Sequence, residues 1–138
     1  METTSDPNPA ADLEPSIREA LMKRSRDGQL PCAVIFDIAQ ELKRQPADIG
    51  QAMNRLDLRI IKCQLGLFGY APEKKIVRAA ESIPADMQAA IRAKLENGRL
   101  PCREAWEIAR ELKVPKMAVS AACETLKIKI KPCQLGAF

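Results

Sequence analysis

Gly28-Gln29-Leu30-Pro31-Cys32, followed by Ile38-Ala39-Gln40-Glu41-Leu42-Lys43, is the stretch on which the fold turns. It returns 70 residues later as Gly98-Arg99-Leu100-Pro101-Cys102 and Ile108-Ala109-Arg110-Glu111-Leu112-Lys113. Further on, Cys63-Gln64-Leu65-Gly66 returns as Cys133-Gln134-Leu135-Gly136, and Phe68 as Phe138. The register runs without a gap from Gly28 to Phe68, so the two copies share one fold. Two copies are fewer than a solenoid needs, and the chain reads as two small domains in tandem.

Working outward, each copy predicts three helices and a short β-pairing. A first helix is expected over about Pro15 to Arg26 and again over Ala85 to Glu96, with proline suited to the first helical position. Ile17, Ala20 and Leu21 make its apolar stripe, matched by Met87, Ala90 and Ile91. Asp27-Gly28 and Asn97-Gly98 are expected to close these helices, glycine taking the left-handed conformation. A second helix is expected from Cys32 to Lys43 and a third from Pro46 to Leu56, with Phe36 and its counterpart Trp106 in the cores. Alternation then predicts a strand around Leu58 to Ile60 and Ile128 to Ile130. The apolar phase slips by one before Cys63, which calls for a bend or bulge near Lys62 or Pro132. Residues 72–83 have no partner in the repeat and read as a helical linker. The expected organisation is thus a disordered acidic tail over 1–14, a first domain over 15–70, a linker over 71–84 and a second domain over 85–138.

Composition narrows the function. The chain has 138 residues and no histidine, which removes Ser-His-Asp and Cys-His catalysis and every histidine-ligated metal. There is no GxGxxG or GxxxxGK[ST] among its six glycines, so no phosphate-cradling loop is present. An enzyme is not expected, and no cofactor is implied. No apolar run reaches the length of a membrane helix, and the polar start lacks the pattern of a signal peptide. No membrane association is expected, and a cytoplasmic location is the default. Residues 15–70 carry nine basic and six acidic groups, and residues 71–138 thirteen and eight. Both folded halves are mildly basic, which is compatible with nucleic acid.

Helices two and three in each copy resemble a helix-turn-helix. The motif asks for an apolar residue followed by alanine, an apolar residue ending the second helix, another in the turn, and two more in the third helix. Ile108, Ala109, Leu112, Val114, Val119 and Ala122 fill these positions. Ile38, Ala39, Leu42, Ile49 and Ala52 do so in the first copy, where Arg44 departs at the turn. Helices that cross steeply need a small residue at their contact, which Ala39 and Ala109 supply. Lys43 and Lys113 stand where glycine is common. With a short β-segment before the second helix and a strand after the third, the chain is similar to the winged-helix branch of this superfamily. The fold expected is mainly α with minor β: two tandem winged-helix-like domains.

The resemblance implies binding to double-stranded DNA, with a regulatory role and the third helix in the major groove. The face it would present in copy one holds Gln45, Ala47, Asp48, Gly50, Gln51, Asn54 and Arg55, of which Gln45, Gln51, Asn54 and Arg55 are the expected DNA contacts. In copy two it holds Lys116, Met117, Ser120, Ala121, Glu124 and Thr125, of which Lys116 and Ser120 are expected contacts. Arg59, Lys62, Arg99, Arg103, Lys127, Lys129 and Lys131 are expected near phosphate. Copy one would specify sequence and copy two grip the backbone. The motif residues are core residues whatever the partner, so a non-catalytic protein-interaction module is the alternative, with the copy-two face docked on protein or on copy one.

Five cysteines add a separate question. Cys32 and Cys63 are 31 apart, as are Cys102 and Cys133, and each pair flanks the expected β-contact. Three readings stand: buried reduced thiols, a redox-sensitive disulfide within each copy, or one metal shared by all four. Two thiolates per copy do not complete a zinc site, so no metal is assigned. Cys123 aligns with Met53 and is expected in the core.

Overall fold

The computed structural model describes residues 14–137. The acidic tail expected over 1–14 lies, apart from Glu14, outside the described residues. In chain order the elements are α1 (Pro15–Arg24), β1 (Gln29–Pro31), α2 (Cys32–Leu42), α3 (Pro46–Arg55), β2 (Arg59–Ile61), α4 (Ala85–Ala93), α5 (Cys102–Leu112) and α6 (Lys116–Leu126). The fold is mainly helical with one small parallel sheet. The chain divides into two compact units after Ile61, before the boundary expected at Tyr70.

In unit 1, α1 and α3 begin on Pro15 and Pro46, whose locked φ suits a first helical turn and whose missing N–H would have had no partner there. α1 ends at Arg24, short of the expected Arg26. Asp27-Gly28 therefore does not cap it. Both residues have positive φ (54° and 75°), and Arg26 and Gln29 exchange N–H···O bonds of 3.0 Å around them. This is a two-residue hairpin turn of the type that requires left-handed geometry twice. Asn97-Gly98 repeats it between Glu96 and Arg99. β1 pairs with β2 in parallel, Leu30 opposite Ile60. Leu21, Leu30, Ile35, Ile38, Ile49 and Met53 are fully buried and form the core.

α2 closes on Lys43 at φ 56° and α5 on Lys113 at φ 58°. The turn thus uses the left-handed conformation that favours glycine, and lysine occupies it in both copies. Beyond it the copies diverge. Val114 packs partly buried on the core of unit 2, whereas Arg44 is exposed and ion-paired with Glu14. Ala39 and Ala109 are buried where the paired helices cross.

Unit 2 is built on Met87, Ile91, Leu100, Ala105, Ile108, Val119, Ala122, Cys123 and Ile130. Its β-contact is a single parallel bridge, Leu100 to Ile130. Cys63 and Leu65, from the end of repeat copy one, belong to this core, with Leu67 and Phe68 packed against it. Trp106 and Phe36 are half-buried, at the core margins rather than inside as expected. The bends at Lys62 and Pro132 are present.

Residues 71–84 form no helix, contrary to the expectation. Three of their backbone donors are taken by distant acceptors. Ile76 and Val77 both donate to the Gly66 carbonyl (2.9 and 3.1 Å), and Ala80 donates to the carbonyl of Ala121 (3.1 Å). A helix would need those N–H groups for carbonyls four residues back. With Val77 buried, the segment runs as an irregular strap along α6.

Candidate functional site

The third helices are the surfaces that a helix-turn-helix reading puts to work, and the two differ. On α6 the outward face is already occupied by its own unit. Ser120 is fully buried, and its hydroxyl donates to the Leu65 carbonyl (2.7 Å), with the Met117 carbonyl also near (3.1 Å). Thr125 Oγ1 donates to the Ala80 carbonyl (2.6 Å), and Lys75 pairs with Glu124 (2.8 Å). Gly66 lies so close that a Cβ added to it would stand 2.9 Å from Met117 Sδ and 3.2 Å from Val77 Cβ. At φ +76° that position favours glycine twice over. Ser120 is therefore not a DNA contact. Its hydroxyl satisfies a buried carbonyl, and a groove cannot reach it.

On α3 the same face is open. Gln45, Ala47, Asp48, Gln51, Asn54 and Arg55 are exposed, and Gly50, at the position of Ser120, is buried. Gln51, Asn54 and Arg55 fall at i, i+3 and i+4, so the three point out together. Their side chains make no hydrogen bond or ion pair among the described residues. Asp48 puts a negative charge in the first turn, favourable to the helix end but unfavourable to a phosphate there.

The cations sort by what they touch. Arg103 lies between Glu96 (3.9 Å) and Glu104 (3.3 Å), which neutralise it. Lys116 is half-buried, its Nζ 4.5 Å from the centre of the Trp106 ring. Arg59 in unit 1 and Lys62 in unit 2 are exposed. Arg99, Lys127, Lys129 and Lys131 are exposed and unpaired among the described residues. The backbone bonds Leu100 N to Lys129 O (2.9 Å) and Lys131 N to Leu100 O (2.8 Å) bring Arg99 beside Lys129 and Lys131. Alternation buries Ile130 and turns the lysines out. The positions matching Arg99, Lys127 and Lys131 in unit 1 hold Gln29, Asp57 and Ile61, so the basic edge belongs to unit 2 alone.

Next to that edge is a cavity of about 690 Å³, floored by Leu67, Phe68, Cys123, Ile128 and Ile130, with Lys75, Lys127 and Lys129 at its margin. No local sequence signal marks it. Phe68 and Ile128 come from different repeat copies and meet only because the end of copy one packs in unit 2.

All five cysteines are free thiols. Cys32 belongs to unit 1 and Cys63 to the core of unit 2, so the pair expected within copy one is divided between units. Cys102 lies beside the 132–134 segment: its N–H donates to the Pro132 carbonyl (3.0 Å), and Gln134 Nε2 approaches its sulfur (3.6 Å). No disulfide links it to Cys133. Within neither unit do three or more Cys, Asp or Glu side chains gather among the described residues into a group that could hold a metal ion. Burial pushes the Cys63 thiol up, and a charge on Cys133 would push it further. Burial also pushes Cys123 up to about 12, with Glu124 adding to the effect. Such buried thiols are poor nucleophiles at neutral pH.

Among the described residues no helix is long and apolar enough to cross a membrane. No family model matches the chain, and neither a curated protein nor a solved structure matches it.

Proposed function

We propose that this chain is a non-catalytic DNA-binding protein of winged-helix, helix-turn-helix type, regulatory in role, in which α3 reads sequence and the basic edge of unit 2 grips phosphate. The observation that carries this reading is the open face of α3, with Gln51, Asn54 and Arg55 free to form paired hydrogen bonds to base edges. The packed face of α6 removes the second helix from base reading, and what unit 2 retains is charge: Arg99, Lys127, Lys129 and Lys131. Gel-shift titration against pooled genomic fragments at two salt concentrations tests it. A selected band with a steep salt slope is the expected result. Arg55→Ala should then lose about 1–3 kcal/mol on the selected site and flatten its preference. Lys129→Ala with Lys131→Ala should weaken all sequences alike and lower the salt slope by up to about two units. Thr125→Ala, on the packed helix, should leave the selected sequence unchanged.

A second reading has its own observation. The α6 face, the structural twin of the α3 face, is covered by a peptide segment of its own unit. On that reading the fold is a protein-interaction module, and absence of any DNA complex at low salt decides for it.

A further inference from the structure

The contact on α6 has two sides, and both recur elsewhere in the chain. On one side is the turn Cys63-Gln64-Leu65-Gly66, closed by Gly66 N to Cys63 O at 2.9 Å, whose glycine lies against Met117. Cys133-Gln134-Leu135-Gly136 repeats that turn, closed by Gly136 N to Cys133 O at 3.0 Å, with φ of +76° and +82° at the two glycines. The difference is what faces the glycine. A Cβ at Gly136 would meet nothing within 4 Å. On the other side is the outer face of a third helix. α3 repeats it, with Ala47 at the position of Met117 and Gly50 at that of Ser120, and there Ala47, Gln51, Asn54 and Arg55 stand in solvent. The chain thus carries a docking turn with its glycine bare and a receiving helix with its face open, each the twin of a side already engaged in unit 2.

We propose that these two surfaces take each other between molecules: the 133–137 turn of one copy docks on α3 of a second copy, continuing head to tail the contact that Gly66 makes with α6. Such a contact is heterologous, because the two patches differ, so it propagates and does not stop at a symmetric dimer. It is weaker than its model within the chain for two reasons. Gly50 has no hydroxyl to match the Ser120 bond to a backbone carbonyl. The effective concentration supplied by the covalent link is also absent. Association is therefore concentration-dependent. Because the receiving face is the one that holds Gln51, Asn54 and Arg55, a copy engaged in the chain of contacts has its reading helix covered. The inference does not depend on the DNA reading, since its test contains no DNA.

Sedimentation equilibrium of the full chain over a wide concentration range should show the weight-average mass climbing from 15.3 kDa past twice that value. Ala47→Arg places a charged side chain on the receiving face. Gly136→Asn keeps a residue that tolerates positive φ but fills the bare approach. Each variant alone should stay at the monomer mass, with helical circular dichroism and Trp106 emission as in the parent. Their equimolar mixture should form a discrete dimer, because one supplies the intact turn and the other the intact helix. A parent chain that remains monomeric throughout overturns the proposal and leaves α3 to DNA or to residues 1–13. So does a pair of folded variants that assemble like the parent, or a mixture that stays monomeric.

Discussion

α3 and α6 occupy the same position in two copies of one fold, yet one is open and the other is packed over. The helices are close in length and share their buried pattern, Ile49, Ala52 and Met53 against Val119, Ala122 and Cys123. They differ on the outside, where α3 carries Gly50, Gln51, Asn54 and Arg55, and α6 carries Ser120, Ala121, Glu124 and Thr125. Each α6 residue finds a partner in residues 62–80: Ser120 with the Leu65 carbonyl, Ala121 and Thr125 with Ala80, Glu124 with Lys75. A repeat therefore conserves the inside of a helix while its outside is assigned by whatever precedes it in the chain. The α3 face is the one that nothing in the described chain covers.

The largest test of this contrast is Leu65→Ala. Leu65 is fully buried in unit 2 although it belongs to repeat copy one, so truncation should destabilise unit 2 by about 2–5 kcal/mol. The single tryptophan, Trp106, reports that unit in denaturant unfolding. An unchanged Trp106 transition would break the assignment of the 62–70 segment.

A second test uses the core position where the copies differ chemically, Met53 in unit 1 and Cys123 in unit 2. Burial raises the Cys123 thiol pKa from 9.0 to about 12, so well below pH 9 it is neutral whether folded or unfolded and contributes no pH dependence. Above pH 9 the unfolded thiol ionises and the buried one does not, and folding stability falls as pH rises toward the folded value. By pH 10.5 the loss should reach about 2 kcal/mol. Comparison with Cys123→Ala across pH 8–10.5 isolates it, and parallel curves for the two proteins would contradict the burial argument.

Ser120→Ala gives the smallest effect, about 1–2 kcal/mol, from loss of one bond and an unsatisfied Leu65 carbonyl. The converse, Gly50→Ser in unit 1, should not cost stability in the same way, since no carbonyl is known to await it. Equal losses at both positions would mean that the two helix faces are not as different as they look.

Much of each helix was legible in the sequence because local rules decide it. Pro15 and Pro46 start helices, the apolar spacing of Ile35, Ile38 and Ala39 sets which side is inward, and the gap-free register transfers every assignment from one copy to the other. Two of the differences lie where a distant group supplies a hydrogen-bond partner. Residues 71–84 carry apolar residues at helical spacing, but the N–H groups of Ile76, Val77 and Ala80 go to Gly66 and Ala121. Ser120 looked like a surface hydroxyl and is a core donor. The third difference is local: Asp27-Gly28 suits a helix cap by composition, but two consecutive residues at positive φ make a hairpin turn between Arg26 and Gln29.

By itself, the sequence determined that two copies of one small helical fold exist, that their cores are apolar residues at helical period, and that histidine chemistry is absent. Those follow from periodicity and composition, which act over a few residues. Only the tertiary structure decided that Cys63 and Leu65 leave the copy that encodes them and serve the core of unit 2, that α6 is covered and α3 is not, and that Arg99, Lys129 and Lys131 share one edge. Each of these depends on where a segment tens of residues away comes to rest, and burial of apolar area together with satisfaction of backbone donors settles that only when the whole chain is packed.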